Sequence, residues 1–251
     1  MDEEAITVGE AIAILSGKGG TGKTSVCAGI ATALADAGMR VLCIDCDIGL
    51  RNLDISLGLS QMGGLSFVDV YRDGYSLEQA VRHPQYPTLQ FLTAPMNCPA
   101  DQIDQQAFAD LLRKARAQFQ YIFLDAPAGI DAGFQLAARF ADRVVLVTGA
   151  DPAAVRDATR AGELLELMGK ADVRMVVNRV NKKMVSAMEL TVDDVMDRAG
   201  LPLLGIVPED PQVTLSAAFG TPLLKHTKKG ASAACRRIAK RLQGLSVGIT
   251  L

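Results

Sequence analysis

Short aliphatic runs alternate with amphipathic stretches along the whole chain. The runs at 11–16, 40–45, 89–93, 120–125, 143–149, 173–179 and 203–207 are almost continuously apolar, as strands buried on both faces must be. Apolar residues recurring three and four positions apart predict helices over 23–37, 104–119, 152–168 and 191–199, and then over 212–219 and 231–243. Such alternation predicts an α/β fold in three layers, helices covering both faces of a mostly parallel sheet of about seven or eight strands. Right-handed crossovers then bring the loops that follow the strands to one edge, where ligands bind in sheets of this kind. No low-complexity linker or repeat interrupts the pattern, so 1–251 reads as a single domain. The stretch 48–88 is the least regular, with Gly49, Gly58, Gly63, Gly64, Gly74, Pro84 and Pro87. Short helices over 66–72 and 77–82 are expected to fill it.

Composition narrows the picture. The chain is 49% hydrophobic with few aromatics and no Trp, enough aliphatic material for a sizeable core. A formal net charge of −2 excludes polyanion binding by bulk charge and leaves only a local basic face for it. The five cysteines are odd in number, and the acidic start Met1-Asp2-Glu3-Glu4 has no signal-peptide pattern, which points to reduced thiols in the cytoplasm. No run approaches the ~18 apolar residues of a spanning helix. Cys43-x-x-Cys46 lies inside an apolar strand pattern and reads as core, because redox pairs sit at exposed helix starts and a metal site needs more ligands. Cys98 falls in a loop pattern with no partner nearby in sequence.

Candidate chemistry begins at Ser16-Gly17-Lys18-Gly19-Gly20-Thr21-Gly22-Lys23-Thr24-Ser25. The segment follows an apolar run and precedes a helical pattern, the context that gives a G-x-x-x-x-G-K-[ST] match its meaning. Gly17, Gly22, Lys23 and Thr24 satisfy the pattern. Glycines let backbone N–H groups turn around phosphates, and a helix N-terminus adds positive potential. Lys23 would reach the β- and γ-phosphates of ATP, and the Thr24 hydroxyl would ligate Mg²⁺. Lys18, directly after the first glycine, is a second lysine that the ordinary motif lacks.

A phosphate loop of this kind needs acids to hold the metal ion and place water. Two strand ends supply them, Ile44-Asp45-Cys46-Asp47 and Leu124-Asp125-Ala126-Pro127-Ala128-Gly129. Asp125 ends an aliphatic run, as an acid holding Mg²⁺ through a coordinated water should; Asp45 is a second candidate for the metal. The Gly129 N–H is a candidate partner of the γ-phosphate, which would make 126–130 a segment that senses hydrolysis.

The second lysine, together with Asp47-Ile-Gly-Leu-Arg-Asn-Leu-Asp54 and Asp125-Ala-Pro-Ala-Gly-Ile130, resembles the MinD/ParA family of P-loop ATPases. Gly49-Leu-Arg-Asn-Leu-Asp54 and the Pro-Ala-Gly segment favour its MinD branch, which places the bacterial division site. Ala154-Val-Arg-Asp157, Asn178-Arg179, Val192-Asp-Asp-Val195 and Leu204-Gly-Ile-Val-Pro-Glu-Asp210 extend the likeness over nearly the whole chain. The resemblance implies an ATP-dependent homodimer with slow intrinsic hydrolysis. In it Lys18 crosses to the other subunit's phosphates, Asp47 orients water, and Asn52 sits near the nucleotide across the dimer. It further implies that Asn178 hydrogen-bonds adenine and that Pro208, Glu209 and Asp210 frame the base. Asp151 stands where the family has an acid approaching the partner's nucleotide. The Arg156–Asp157 region corresponds to the surface that recruits a MinC-type inhibitor, with a MinE-type activator competing there and stimulating hydrolysis.

Two departures stand out. Gly149-Ala150-Asp151 replaces the family's usual Asn-Pro-Glu, so the acid is one methylene shorter. The family usually ends in an amphipathic membrane-binding helix, whereas the tail 244–251 is uncharged with two glycines, a poor interfacial helix. The cell membrane's inner face therefore stays open as a location without an evident anchor. The preceding Cys235-Arg-Arg-Ile-Ala-Lys-Arg-Leu242 reads as a last helix with a solvated basic face. A ParA-like role on DNA would draw on Lys225, Lys228, Lys229, Arg236, Arg237, Lys240 and Arg241; the Asn-Leu-Asp switch argues against it. A flagellar-number regulator of the FlhG type would carry an N-terminal extension, and only about ten residues precede the first strand. An iron–sulfur carrier needs paired cysteines, and Cys235 stands alone.

Overall fold

In a computed structural model, residues 8–96, 98–181, 183 and 191–250 are described, the side chains of Ala100 and Val192 excepted. The acidic start and Leu251 lie outside them. Eight strands form one sheet in the order β3-β4-β2-β5-β1-β6-β7-β8. They are β1 (Glu10–Leu15), β2 (Val41–Asp45), β3 (Val81–His83), β4 (Tyr86–Leu92), β5 (Tyr121–Asp125), β6 (Arg143–Thr148), β7 (Val173–Val180) and β8 (Leu203–Pro208). All neighbours pair in parallel except β3 with β4.

The helices follow the apolar periodicity. Among the described residues they are α1 (Lys23–Asp36), α2 (Leu53–Leu57), α3 (Phe67–Arg72), α4 (Gln105–Gln118), α5 (Ala132–Phe140), α6 (Pro152–Leu167), α7 (Val192–Ala199), α8 (Pro211–Ala218), α9 (Leu223–His226) and α10 (Ala231–Leu242). Local chemistry starts several of them. Asp104 accepts from the N–H groups of Gln106 and Ala107 at the head of α4. Ser66 and Asp69 form a reciprocal cap on α3, as Thr191 and Asp194 do on α7, each satisfying amides that helix geometry leaves unpaired.

Alternate residues of the central strand feed opposite layers. Ala11, Ala13 and Leu15 face the layer of α3–α6, joined there by Leu42, Ile122, Val144 and Phe108. Ile12 and Ile14 face the layer of α1 and α10, with Cys43, Phe123, Val145 and Ile238. Cys27, Cys43, Cys46, Cys98 and Cys235 are all free and buried, as core thiols are. No described helix is long and apolar enough to cross a membrane.

Differences from the sequence reading concentrate where no long period exists. The expected helix 77–82 is a 3₁₀ turn at Leu77–Gln79 followed by β3. Pro84 and Gln85 close a tight turn between β3 and β4, and pairing across it draws Val81–His83 into the sheet edge. That pairing also extends β4 back to Tyr86, three residues before the expected start. Helix α5 has no counterpart in the sequence reading, which places the hydrolysis-sensing segment at 126–130; the nine residues of the helix make too short a pattern to stand out. The tail after Gly244 is not helical. Arg237 donates to the Thr250 carbonyl at 2.9 Å and Arg241 to that of Val247 at 2.8 Å, while Arg236 pairs with Asp36 at 2.5 Å. Three of the seven cations that a DNA surface would use are thus already engaged.

Phe108 ties the irregular segment to the sheet, edge-on to Phe67 and Phe140 at 5.3 Å in each case. It is fully buried. Phe108→Ala should lower stability by about 3–5 kcal/mol in chemical denaturation, whereas Leu167→Ala, at an exposed helix end, should change it by about 0.5 kcal/mol or less.

Candidate nucleotide site

The loops after β1, β2, β5, β6, β7 and β8 meet at the carboxyl edge of the parallel strands. The first is the glycine segment 16–22, which opens directly into α1. Gly22 adopts φ 79° at the head of that helix, and a Cβ there would stand 2.4 Å from Asn178 Nδ2. At Gly17 a Cβ would lie 2.3 Å from the Asp157 carbonyl oxygen. Glycine at 17 and 22 is therefore demanded by α6 and by β7, respectively, as well as by the turn.

Lys23, the first residue of α1, buries its ammonium against Asp125, with Nζ 2.8 Å from Oδ1. Relative exposures of 6% and 1% make this an interior ion pair. Burial works against the Lys23 charge, but Asp125 more than offsets it and holds the pKa above the ordinary lysine value. Burial likewise pushes the Asp125 carboxyl up, against the pull of Lys23. Removing either partner would strand a buried charge, at a cost of about 3–5 kcal/mol.

Asp45 is fully buried beside this pair. Its Oδ1 accepts from the Asp47 N–H at 2.9 Å and its Oδ2 from the Leu53 N–H at 3.2 Å. The carboxylate thereby fixes both ends of the 46–52 loop. Burial and the nearby Asp125 charge raise its pKa to about 7. Asp47 is half-buried and also raised, by burial first, with Lys23 opposing. Asn52 is exposed at the head of α2 and caps nothing.

Three polar atoms around the loop are buried without a hydrogen-bond partner: Ser16 Oγ, Thr21 Oγ1 and Asp125 Oδ2. Native interiors seldom leave such atoms unpaired. Together with Lys23 and Thr24 they fit a phosphate and a hard cation, since Mg²⁺ is usually held by one or two carboxylates plus phosphate oxygens. The Gly129 N–H does not point free; it donates to the Ser16 carbonyl at 3.0 Å, a bond it would have to exchange for any phosphate.

Two hollows flank Asn178. One, of about 470 Å³, is bounded by Ser25 and Val26 of α1, by Pro208–Asp210 and by Val213 of α8. The other, of about 280 Å³, is rimmed by Lys18, Gly19, Gly20, Gly149 and Asp151. Asn178 is buried and donates to the Thr21 carbonyl at 2.7 Å. Arg179 follows in the left-handed region, φ 55°, and donates to the Gly20 carbonyl at 3.1 Å. Asp210 is occupied as a cap, accepting from Gln212 and from Ala231 at the starts of α8 and α10. Asp151 caps α6 through the Ala154 N–H and lies 3.9 Å from Lys18 Nζ. Both are about half exposed, so this pair is worth only ~0–1 kcal/mol. Arg156 is exposed and Asp157 half-buried on the first turns of α6.

Arg179, Val26 and Val213 were not singled out by sequence. Only the Asn178-Arg179 dipeptide at a strand end hinted at Arg179; the two valines carry no signal besides helical periodicity.

A phosphate loop opening a buried helix, paired with an acid at the end of the neighbouring parallel strand, defines a P-loop nucleotide-binding protein. Comparisons agree. The CobQ/CobB/MinD/ParA nucleotide binding domain model matches residues 12–223. The septum site-determining protein MinD of Synechocystis sp. is 38% identical over 239 residues, 94% of this chain and 90% of its own. A chain of the MinC:MinD cell division protein complex of Aquifex aeolicus superposes with a TM-score of 0.88 at 36% identity, covering 96% of this chain and 98% of that one. MinD of Pyrococcus horikoshii complexed with Mg-ADP gives 0.81 at 25% identity, covering 93% and 95%. The chain belongs to the MinD/ParA family, in its septum site-determining MinD branch.

The clustered acids set a pH dependence. Asp45 is raised in the folded chain to about 7 from an ordinary 3.8, so the folded state holds a proton there that the unfolded state has lost. Stability should therefore fall as pH rises toward and through 7. His83, buried and lowered from 6.5 by that burial, has the opposite sign and acts below about 6.5. Thermal melts without nucleotide between pH 6.5 and 8 should show a falling Tm. Asp45→Asn should flatten that slope.

Proposed function

We propose that the chain is an ATP-hydrolysing dimerisation switch that regulates where the division septum forms. The observation that carries this reading is the buried Lys23–Asp125 pair beneath the glycine loop, with a second lysine, Lys18, half exposed at the rim beside Asp151. One cation is committed to its own chain's site. The other is held only by a weak surface pair and is free to serve elsewhere.

Within one subunit the loop amides and Lys23 bind the phosphates, and Asn178 with Pro208, Glu209 and Asp210 contains the base. Thr24, Asp45 and Asp125 would hold Mg²⁺, which when bound supplies charge neutralisation at the β- and γ-oxygens. Asp47 orients water; burial raises its pKa, which makes its carboxylate a better proton acceptor than an exposed aspartate. Lys18 exchanges Asp151 for the partner subunit's phosphates, delivering positive charge where negative charge develops. Asn52 and Asp151 approach the same interface. Intrinsic turnover is slow, because the finger-like lysine arrives only on dimerisation. Gly129 exchanges its Ser16 partner for the γ-phosphate and reports hydrolysis through 126–130.

The Arg156–Asp157 turn of α6 then recruits a MinC-type inhibitor, a reading supported by the likeness to a chain of the Aquifex MinC:MinD complex. A MinE-type activator acts at the same face and resets the switch. A role on DNA draws less support, since Arg236, Arg237 and Arg241 are engaged within the chain.

Lys23→Ala should abolish nucleotide binding in a fluorescent-nucleotide titration. Lys18→Ala should bind ATP normally yet stay monomeric by light scattering and hydrolyse none; normal turnover in that variant would refute the trans role. Asp47→Ala should bind ATP and persist as a dimer, with phosphate release lowered by at least about a hundredfold.

A further inference from the structure

Arg179 sits at the end of β7 against the preference of its own backbone. Among the described residues only Arg51 and Arg179 combine a side chain with a φ in the left-handed region, 48° and 55°. That conformation costs energy for any residue but glycine and persists where its surroundings impose it. The register of β7 against β8 shifts between Val177 and Val180, so Asn178 and Arg179 interrupt an otherwise parallel ladder. The interruption yields two adjacent bonds to the glycine loop. Arg179 Nη1 donates to the Gly20 carbonyl at 3.1 Å, and Asn178 Nδ2 donates to the Thr21 carbonyl at 2.7 Å. Glu209 stands 3.8 Å from the other terminal nitrogen of the guanidinium.

The described peptide bonds are all trans, and in a planar trans peptide the N–H points opposite to the C=O. The Gly20 carbonyl shares its peptide with the Thr21 N–H, and the Thr21 carbonyl shares its peptide with the Gly22 N–H. Drawing the two carbonyls toward β7 therefore turns these two N–H groups away from it. Neither N–H donates to another group among the described residues. Gly20 and Gly22 both stand at φ 79°, with Thr21 between them outside the left-handed region. Such alternation makes successive N–H groups converge on an anion.

We propose that Arg179 is a positioning residue for phosphate binding: with Asn178 it latches the glycine loop by its carbonyls, so that the Thr21 and Gly22 N–H groups face the phosphates of the nucleotide. The work is divided by peptide, Arg179 aiming the Thr21 N–H and Asn178 the Gly22 N–H. The inference rests on the glycine loop being the phosphate site. A guanidinium that met the base instead would leave both amides as they are.

The test is amide NMR of the ¹⁵N-labelled full chain, with and without Mg-ADP, together with competition against a fluorescent nucleotide. In wild type the Thr21 and Gly22 amide protons should both move downfield at saturating Mg-ADP, as donors to phosphate do. Arg179→Met keeps an unbranched stem and removes the donor. It should lose the Thr21 shift, keep the Gly22 shift and bind Mg-ADP and Mg-pyrophosphate about tenfold more weakly. Asn178→Ala should show the reverse pattern, with the Thr21 shift kept and the Gly22 shift lost. Arg179→Lys retains a donor and should restore the Thr21 shift and most of the affinity. The Arg179 side chain is 61% exposed, so these changes spare the core, and the retained Gly22 shift reports a folded loop. Both shifts intact in Arg179→Met, both lost together, or weaker ADP binding with pyrophosphate binding unchanged would each overturn the proposal, the last by making Arg179 a contact of the base. Wild type showing neither shift would overturn the glycine loop as the phosphate site, and the latch with it.

Discussion

The buried contact between Lys23 and Asp125 organises this protein. An ammonium and a carboxylate are removed from water together, and neither tolerates that burial alone. The pair joins the first turn of α1 to the end of β5, the strand beside β1, and so fixes the strand–loop–helix unit against the sheet. Around it, Asp45 holds the 46–52 loop by two backbone amides, and Asn178 and Arg179 hold the glycine loop by two carbonyls. The edge is thus braced from both sides by polar groups that a purely apolar core would not supply.

That bracing has an electrostatic cost that suits a ligand. Asp45, Asp47 and Asp125 crowd one small volume, and burial raises all three. A hard cation would relieve their repulsion, and phosphate oxygens would compete with Asp125 for Lys23. The chain's own groups therefore leave the site incompletely satisfied, with Ser16, Thr21 and Asp125 each keeping a buried polar atom unpaired. Such a site gains more from its ligand than a relaxed one, which is how ligand binding can drive a change of state.

The opposite face of that balance is the rim. Lys18, Asp151, Asn52 and Arg156 are exposed, as the proposed contact with a second subunit and an inhibitor would require.

Much of the sheet and the long helices was legible in the sequence, because continuous apolar strands and three-to-four spacing follow directly from burial on two faces or one. The glycine loop, Lys23, Thr24 and the acids ending β2 and β5 were legible for the same reason: phosphate chemistry demands those residue types in that order. Sequence alone could not place β3, which exists only because β4 offers it a pairing edge, nor α5, whose short period is decided by packing of Phe134 and Ala137 under the sheet. It could not show that Gly17 answers to the Asp157 carbonyl, that Gly129 is tied to Ser16, or that three arginines of the last segment are engaged within the chain. Local pattern determines what each segment is able to become; long-range contact decides which hydrogen bonds and charges are left for a ligand, because those depend on residues brought together from more than 100 positions apart.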